Sequence, residues 1–124
     1  MDQNLYEQVG GEPFFERLVA AFYAVVEGDE ILRPMYPDNL SDSKRHFVLF
    51  LCQYWGGPPI YLEERGHPRL RIRHAPFRIT KRARDAWLAA MTVALASVSD
   101  ELTGEQLIEM RAYFDMAAHQ MRNV

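Results

Sequence analysis

The chain is short of residue types on which many chemistries depend. It has one cysteine, Cys52, among 124 residues. A lone thiol forms no internal disulfide, which points to a reducing setting. There is no CxxC, and the absence of CxxCH excludes covalent attachment of a c-type haem. No apolar run approaches the length of a membrane span, and the N-terminus carries no signal-peptide pattern. We therefore expect a soluble, cytoplasmic protein. A Walker loop, GxGxxG, GxSxG and HExxH are all missing. The four histidines, His46, His67, His74 and His119, lack zinc-ligand spacing. Glu63-Glu64 lies in a polar stretch with nothing apolar to raise a carboxylate pKa, and reads as a solvated pair in a loop.

Acid is also missing from one place. From Arg65 to Arg84 there are eight Lys or Arg and no Asp or Glu, in a chain whose formal net charge is −3. Such a stretch is a solvated face, a site for an anionic small molecule or a nucleic-acid patch. The acidic pI of about 5.8 and the lack of any nucleic-acid motif argue against the last.

What is present is globular. Residues are 48% hydrophobic and 25% charged, enough for one domain over residues 1–124 with a real core. Residues 4–9 read as a short helix stopped by Gly10-Gly11. Pro13 sits in the first turn of the next helix, where its missing N–H costs nothing. Phe14, Leu18, Ala21, Phe22 and Val25 follow at helical spacing, with Tyr23 at the edge of the stripe, and Gly28 ends it. Residues 31–36 make a short apolar turn cut by Pro34 and Pro37, which hold Tyr36 between them. Ser41-Asp42 reads as an N-cap for a helix presenting Ser43, Phe47, Phe50, Leu51 and Tyr54 on one face. Gly56-Gly57-Pro58-Pro59 closes it. The alternation Arg69-Leu70-Arg71-Ile72-Arg73 resembles a strand, but no partner strand exists and an isolated one is unstable. Residues 61–73 therefore read as loop followed by a short helical turn. Thr80 caps a helix carrying Ala83, Trp87, Leu88, Met91, Leu95 and Val98. The last helix carries Leu107, Met110, Phe114, Ala117 and Met121. His119 lies off that seam and reads as surface or interface. About five helices and no strand make an all-α domain.

His74 is the residue that could carry chemistry. Pro76 disfavours helix at Ala75, so a turn bearing His74 ends almost at once. The spare carbonyls of such a turn can take Nδ1–H and leave Nε2 free for a metal. Around it are Trp87, the hydroxyls of Tyr23 and Tyr36, an aromatic wall from Phe47 and Phe50, and a basic run with Tyr61. A haem would use each of these: an axial histidine, apolar faces, cations such as Arg69, Arg71 and Arg73 for its propionates, and a dry pocket with a few donors.

The ordered set of these residues resembles the group II truncated haemoglobins. The resemblance runs from Leu5-Tyr6 and Val9-Gly10-Gly11 through Phe22-Tyr23 and Tyr36-Pro37. It is densest at Phe50-Leu51-Cys52-Gln53-Tyr54-Trp55-Gly56-Gly57-Pro58. It resumes at Gly66-His67-Pro68 and Arg73-His74-Ala75-Pro76-Phe77, and ends at Asp85-Ala86-Trp87-Leu88. It implies a truncated globin, two helices crossed over two, binding haem b without a covalent link. The residue matching His74 is the proximal iron ligand in that family. Tyr23, Tyr36 and Trp87 match positions facing the bound gas. Ser43 stands where vertebrate globins place a distal histidine, and Phe47 where some related chains have glutamine. His46 is better placed for the haem edge than for the iron. Phe50, Tyr61, Leu70, Arg73, Phe77 and Ile79 complete the expected cofactor contacts. The partners implied are O2 and other diatomic gases and a reductase of unknown identity, with a homodimer left open; nucleic acid is not among them. Three donors should slow O2 release, which suits redox chemistry on O2, nitric oxide or peroxide better than carriage. An O2 or redox sensor, and a haem-free helical module using the basic 65–84 face, are the alternatives.

Overall fold

A computed structural model describes residues 3–124. Four long helices form two layers. Helix α1 (Leu5–Gln8) precedes α2 (Glu12–Gly28) and, after a 3₁₀ turn at Arg33–Met35, α3 (Ser41–Tyr54). Two stubs follow, α4 (Ile60–Arg65) and α5 (Leu70–His74), and then α6 (Lys81–Ser97) and α7 (Gly104–Met121). Helix α2 packs on α3, α6 packs on α7, and α2 crosses α6 between the layers. This is the expected two-over-two arrangement, and no strand occurs among the described residues.

The core is aromatic because α2 places Phe14, Phe15 and Phe22 on one stripe, each fully buried along with Phe114 of α7. Their rings meet edge-on or tilted: Phe22 lies 5.6 Å from Phe47 and 5.3 Å from Trp87. Such geometry sets the positive ring edge against the negative face and contributes beyond area burial. Gly57 permits a close approach, since a Cβ there would come within 2.8 Å of the Cys52 carbonyl and 2.7 Å of the Tyr6 ring. The end of α3 is thereby tied to α1, where Tyr6 N–H donates to the Trp55 carbonyl at 3.1 Å.

Three local expectations change. Ser41 is the first residue of α3 and not its cap: Leu40 holds the cap position without a side-chain bond, and the Ser41 N–H is taken by Asn39 Oδ1 at 2.9 Å. The stretch read as loop from residue 61 contains the helix α4, anchored by buried Tyr61 and ended by Gly66 at φ 76°, a conformation that costs glycine little. Glu64 is on that helix and forms a two-pronged ion pair with Arg45 at 2.7 Å, which holds its carboxyl below the usual range. Thr80 caps α6 as expected, accepting the Ala83 N–H. A capping box at Thr103 and Gln106 starts α7. Its T-x-x-Q signature is visible in the chain.

Candidate functional site

The helices line an aromatic-walled cavity of about 530 Å³, within the range of small-molecule and cofactor sites. Its boundary brings together Tyr23 from α2, Tyr36 after the 3₁₀ turn, and Ser43, His46, Phe47 and Phe50 from α3. From the other side come Tyr61, Leu70, Arg73 and His74 of the stubs, Phe77 and Ile79 of the connecting loop, and Trp87 of α6.

His74 is the last residue of α5, but Ala75, expected to leave helical backbone before Pro76, keeps it at φ −56° and ψ −36°; the turn ends because Pro76 has no N–H to extend the ladder. Its Nδ1–H donates to the Leu70 carbonyl at 2.6 Å, which fixes the ring and leaves Nε2 uncommitted. The turn is tightly braced. Arg69 begins it in the left-handed region at φ 43°, and His67 Nδ1 accepts its N–H at 3.2 Å. Arg73 donates from Nε to the Pro68 carbonyl at 2.7 Å and from Nη2 to the Arg65 carbonyl at 2.8 Å. The arginine expected to meet an anion therefore also staples its own loop. From the far end of the chain, Asn123 exchanges three bonds with the segment after His74. Its Oδ1 accepts the Ile79 N–H at 3.0 Å, its N–H donates to the Ile79 carbonyl at 3.0 Å, and its Nδ2 donates to the Phe77 carbonyl at 2.9 Å.

The opposite side is held by packing. Tyr23 is buried, and its ring meets Tyr36 edge-on at 5.5 Å. Burial pushes the Tyr23 phenol well above its ordinary range; the neighbouring Tyr36 adds to this and the Ser43 side chain pulls back. Burial also pushes Tyr36 up to about 12, with the Trp87 indole pulling the other way. Both phenols therefore stay protonated near neutral pH. Trp87, whose place on the apolar side of α6 predicts a buried ring, is half-buried and borders the cavity.

Charge is one-sided. Arg65, Arg73 and Arg84 line the cavity with His46, and no carboxylate does so among the described residues. Arg65 Nη1 donates to His46 Nδ1 at 2.9 Å. Burial, reinforced by the Arg65 cation, lowers the His46 pKa and keeps the ring an acceptor. Both Arg65 and Arg73 lie 5.8 Å from the Tyr61 ring centroid, close enough for cation–π attraction.

These residues fit a haem. Among the described residues no cluster of three His, Cys, Asp or Glu could hold a bare ion. An iron bound by His74 alone would draw its remaining ligands from a macrocycle. The walls are apolar and aromatic, and the rim is cationic, as a flat ring with carboxylates requires. The cavity also includes Leu32, Met35, Arg84, Tyr113 and Ala117, none of which the sequence marks as a site residue. Ala117 was visible only as part of a core seam, and nothing in the local pattern marks Asn123.

Comparison with known proteins gives consistent matches. The family model for the bacterial-like globins matches residues 4–121. The group 2 truncated hemoglobin YjbI of Bacillus subtilis is 42% identical over 118 residues, covering 95% of this chain and 87% of that protein. The crystal structure of hemoglobin from the thermophilic phototrophic bacterium Chloroflexus aurantiacus is 49% identical with a TM-score of 0.95, over 99% of this chain and 100% of that one. The truncated oxygen-avid haemoglobin from Bacillus subtilis, an X-ray structure, is 40% identical with a TM-score of 0.91, over 98% and 100%. No helix among the described residues is long and apolar enough to cross a membrane.

Proposed function

The chain belongs to the bacterial-like globin family and is a group II truncated haemoglobin, and from that premise we propose that it holds haem b through His74 and binds O2 slowly releasably beneath Tyr23, Tyr36 and Trp87. Membership itself carries a haem and the binding of O2 or other small diatomic ligands. The observation that supports the finer reading is that one cavity is bordered both by His74, with Nε2 uncommitted, and by the three donor side chains.

When bound, a haem supplies a ferrous iron that shares electron density with the gas. The rest is the work of this chain. The Leu70 carbonyl takes Nδ1–H of His74, fixing its tautomer and raising its basicity as a ligand. Phe47, Phe50, Leu70, Phe77 and Ile79 supply apolar walls that exclude water. Arg65, Arg73 and Arg84, with His46 and Tyr61, supply cations and donors for the carboxylates. Tyr23 and Tyr36 can donate or accept a hydrogen bond, while the Trp87 indole can only donate. Donors fixed in advance in a dry site stabilise developing negative charge more than water does. Slow O2 release follows, in keeping with the oxygen-avid description of the Bacillus subtilis structure. A protein that releases O2 slowly is a poor carrier, so we assign redox chemistry on O2, nitric oxide or peroxide.

The test is reconstitution. Titrating the purified protein with hemin should give a Soret band at one haem per chain, and reduction under O2 should give a long-lived oxygenated spectrum. Absence of a Soret band after hemin addition contradicts the reading.

A further inference from the structure

The site uses three of the eight cations between Arg65 and Arg84: Arg65, Arg73 and Arg84 line the cavity. The other five, Arg69, Arg71, Arg78, Lys81 and Arg82, are exposed. None of the five is in an ion pair among the described residues, whereas Arg17, Arg45 and Arg84 each are. Two large apolar side chains lie among them. Ile72, in the middle of α5, is 67% exposed, and Phe77 is 49% exposed. Phe77 also lines the cavity, so this surface reaches the cavity edge. Exposed apolar side chains in one stretch with unpaired cations suit a small, electrostatically steered interface.

We propose that the exposed face from Arg69 to Arg82, centred on Ile72, docks an acidic one-electron carrier protein that reduces the haem iron. The proposal rests on the haem reading above. Ligand chemistry that begins at ferrous iron leaves ferric iron whenever an electron is lost, and the electron must be returned. In the step proposed, the carrier loses one electron and the iron gains it; no atom or proton is transferred. Weak electron-transfer encounters use small interfaces, and a patch on the histidine-bearing turn brings the partner to the side from which α5 holds the site. Charge distribution selects the partner. Outside the stretch, the remaining six cations face all seventeen acids of the chain. An extended polyanion, a nucleic acid or an anionic bilayer, would meet that acidic remainder, while a compact acidic protein covers the patch alone.

The experiment uses the hemin-reconstituted ferric protein. Its probe is an oxidised plant-type [2Fe–2S] ferredoxin, an acidic one-electron carrier, with binding measured by calorimetry. We expect weak binding that falls on the order of tenfold between about 50 and about 300 mM NaCl. The double variant Arg71→Glu/Arg78→Glu should lower affinity by a further order of magnitude, about 1.4 kcal/mol. Ile72→Ser should weaken binding without altering the salt slope. Arg71, Ile72 and Arg78 do not line the cavity, so the Soret band should be unchanged in each variant. An affinity indifferent to salt and to charge reversal overturns the proposal. So does preferential binding of phosphatidylglycerol vesicles or duplex DNA over ferredoxin. A normal Soret band with no docking removes the partner and leaves the haem reading standing; no Soret band removes both.

Discussion

The two sides of the cavity are built by different physics. Tyr23, Phe47 and Trp87 stand on long helices whose rings interlock around fully buried Phe22. His74 stands on a five-residue helix with no buried residue. That turn is placed by hydrogen bonds from Arg73 and, across the chain, by the bonds Asn123 makes to the segment after it. Packing is spread over many small contacts, whereas a polar staple concentrates its effect in a few bonds. The donors that would face a gas are therefore rigid by burial, and the ligand that would hold the iron is rigid by a handful of carbonyls. Changes on the packed side should alter how long a ligand stays. Changes on the stapled side should alter how long the cofactor stays.

That division can be broken in stages. His74→Ala should have the largest effect, abolishing normal haem binding or leaving a ferrous spectrum without the histidine-ligated signature. An unchanged ferrous spectrum would mean that another residue holds the iron. Asn123→Ala removes the side-chain bonds to Ile79 and Phe77, each contributing about 0.5–1.5 kcal/mol, and a longer one to the His74 carbonyl. Haem transfer to apomyoglobin should then speed up by roughly tenfold, with O2 dissociation nearly unchanged. Asn123→Asp keeps the acceptor but sets a carboxylate against the Phe77 and His74 carbonyls, so it should also speed haem loss. Equal haem-loss rates in all three would show that the chain end does not brace the turn. Arg73→Ala should also speed haem loss, through both lost staples and lost charge, without a large change in O2 affinity.

The smallest effect concerns pH. Burial raises the Tyr36 pKa to about 12 in the folded protein, above its ordinary value near 10. The unfolded chain then ionises first, so this contribution to stability is complete below about pH 10 and is lost as pH rises toward 12. Tyr36→Phe should flatten that alkaline limb in urea melts taken across the range. Tyr23 and Tyr113 shift in the same direction, also by burial, so part of the limb should remain.

How far each side could be read in advance follows from the same contrast. The packed side announces itself by period: Phe14, Leu18 and Phe22, or Met91 and Leu95, recur at helical spacing, and those helices lie where expected. The stapled side has no period. Alternating arginines mimicked a strand, and α4 was hidden in apparent loop because its anchor is one buried residue, Tyr61. His74 itself was legible, because Pro76 has no N–H to carry the turn further, although Ala75 keeps helical backbone angles. Its brace was not: Asn123 lies 44 residues from Ile79 along the chain, and an asparagine near a terminus carries no local signal. Arg65 and Arg84 were visible as charge but not as cavity residues, since only the folded α4 and α6 bring them there.

The central claim is that the packed side supplies donors to a bound gas, and Trp87 tests it most directly. Its indole borders the cavity beside the Tyr36 hydroxyl, and Trp87→Phe keeps most of the ring packing while removing the N–H. Stopped-flow O2 dissociation should accelerate by roughly one to two powers of ten, each about 1.4 kcal/mol, while haem-loss rates stay close to wild type. An unchanged dissociation rate in a folded, haem-loaded variant would contradict the account and make Trp87 a packing residue.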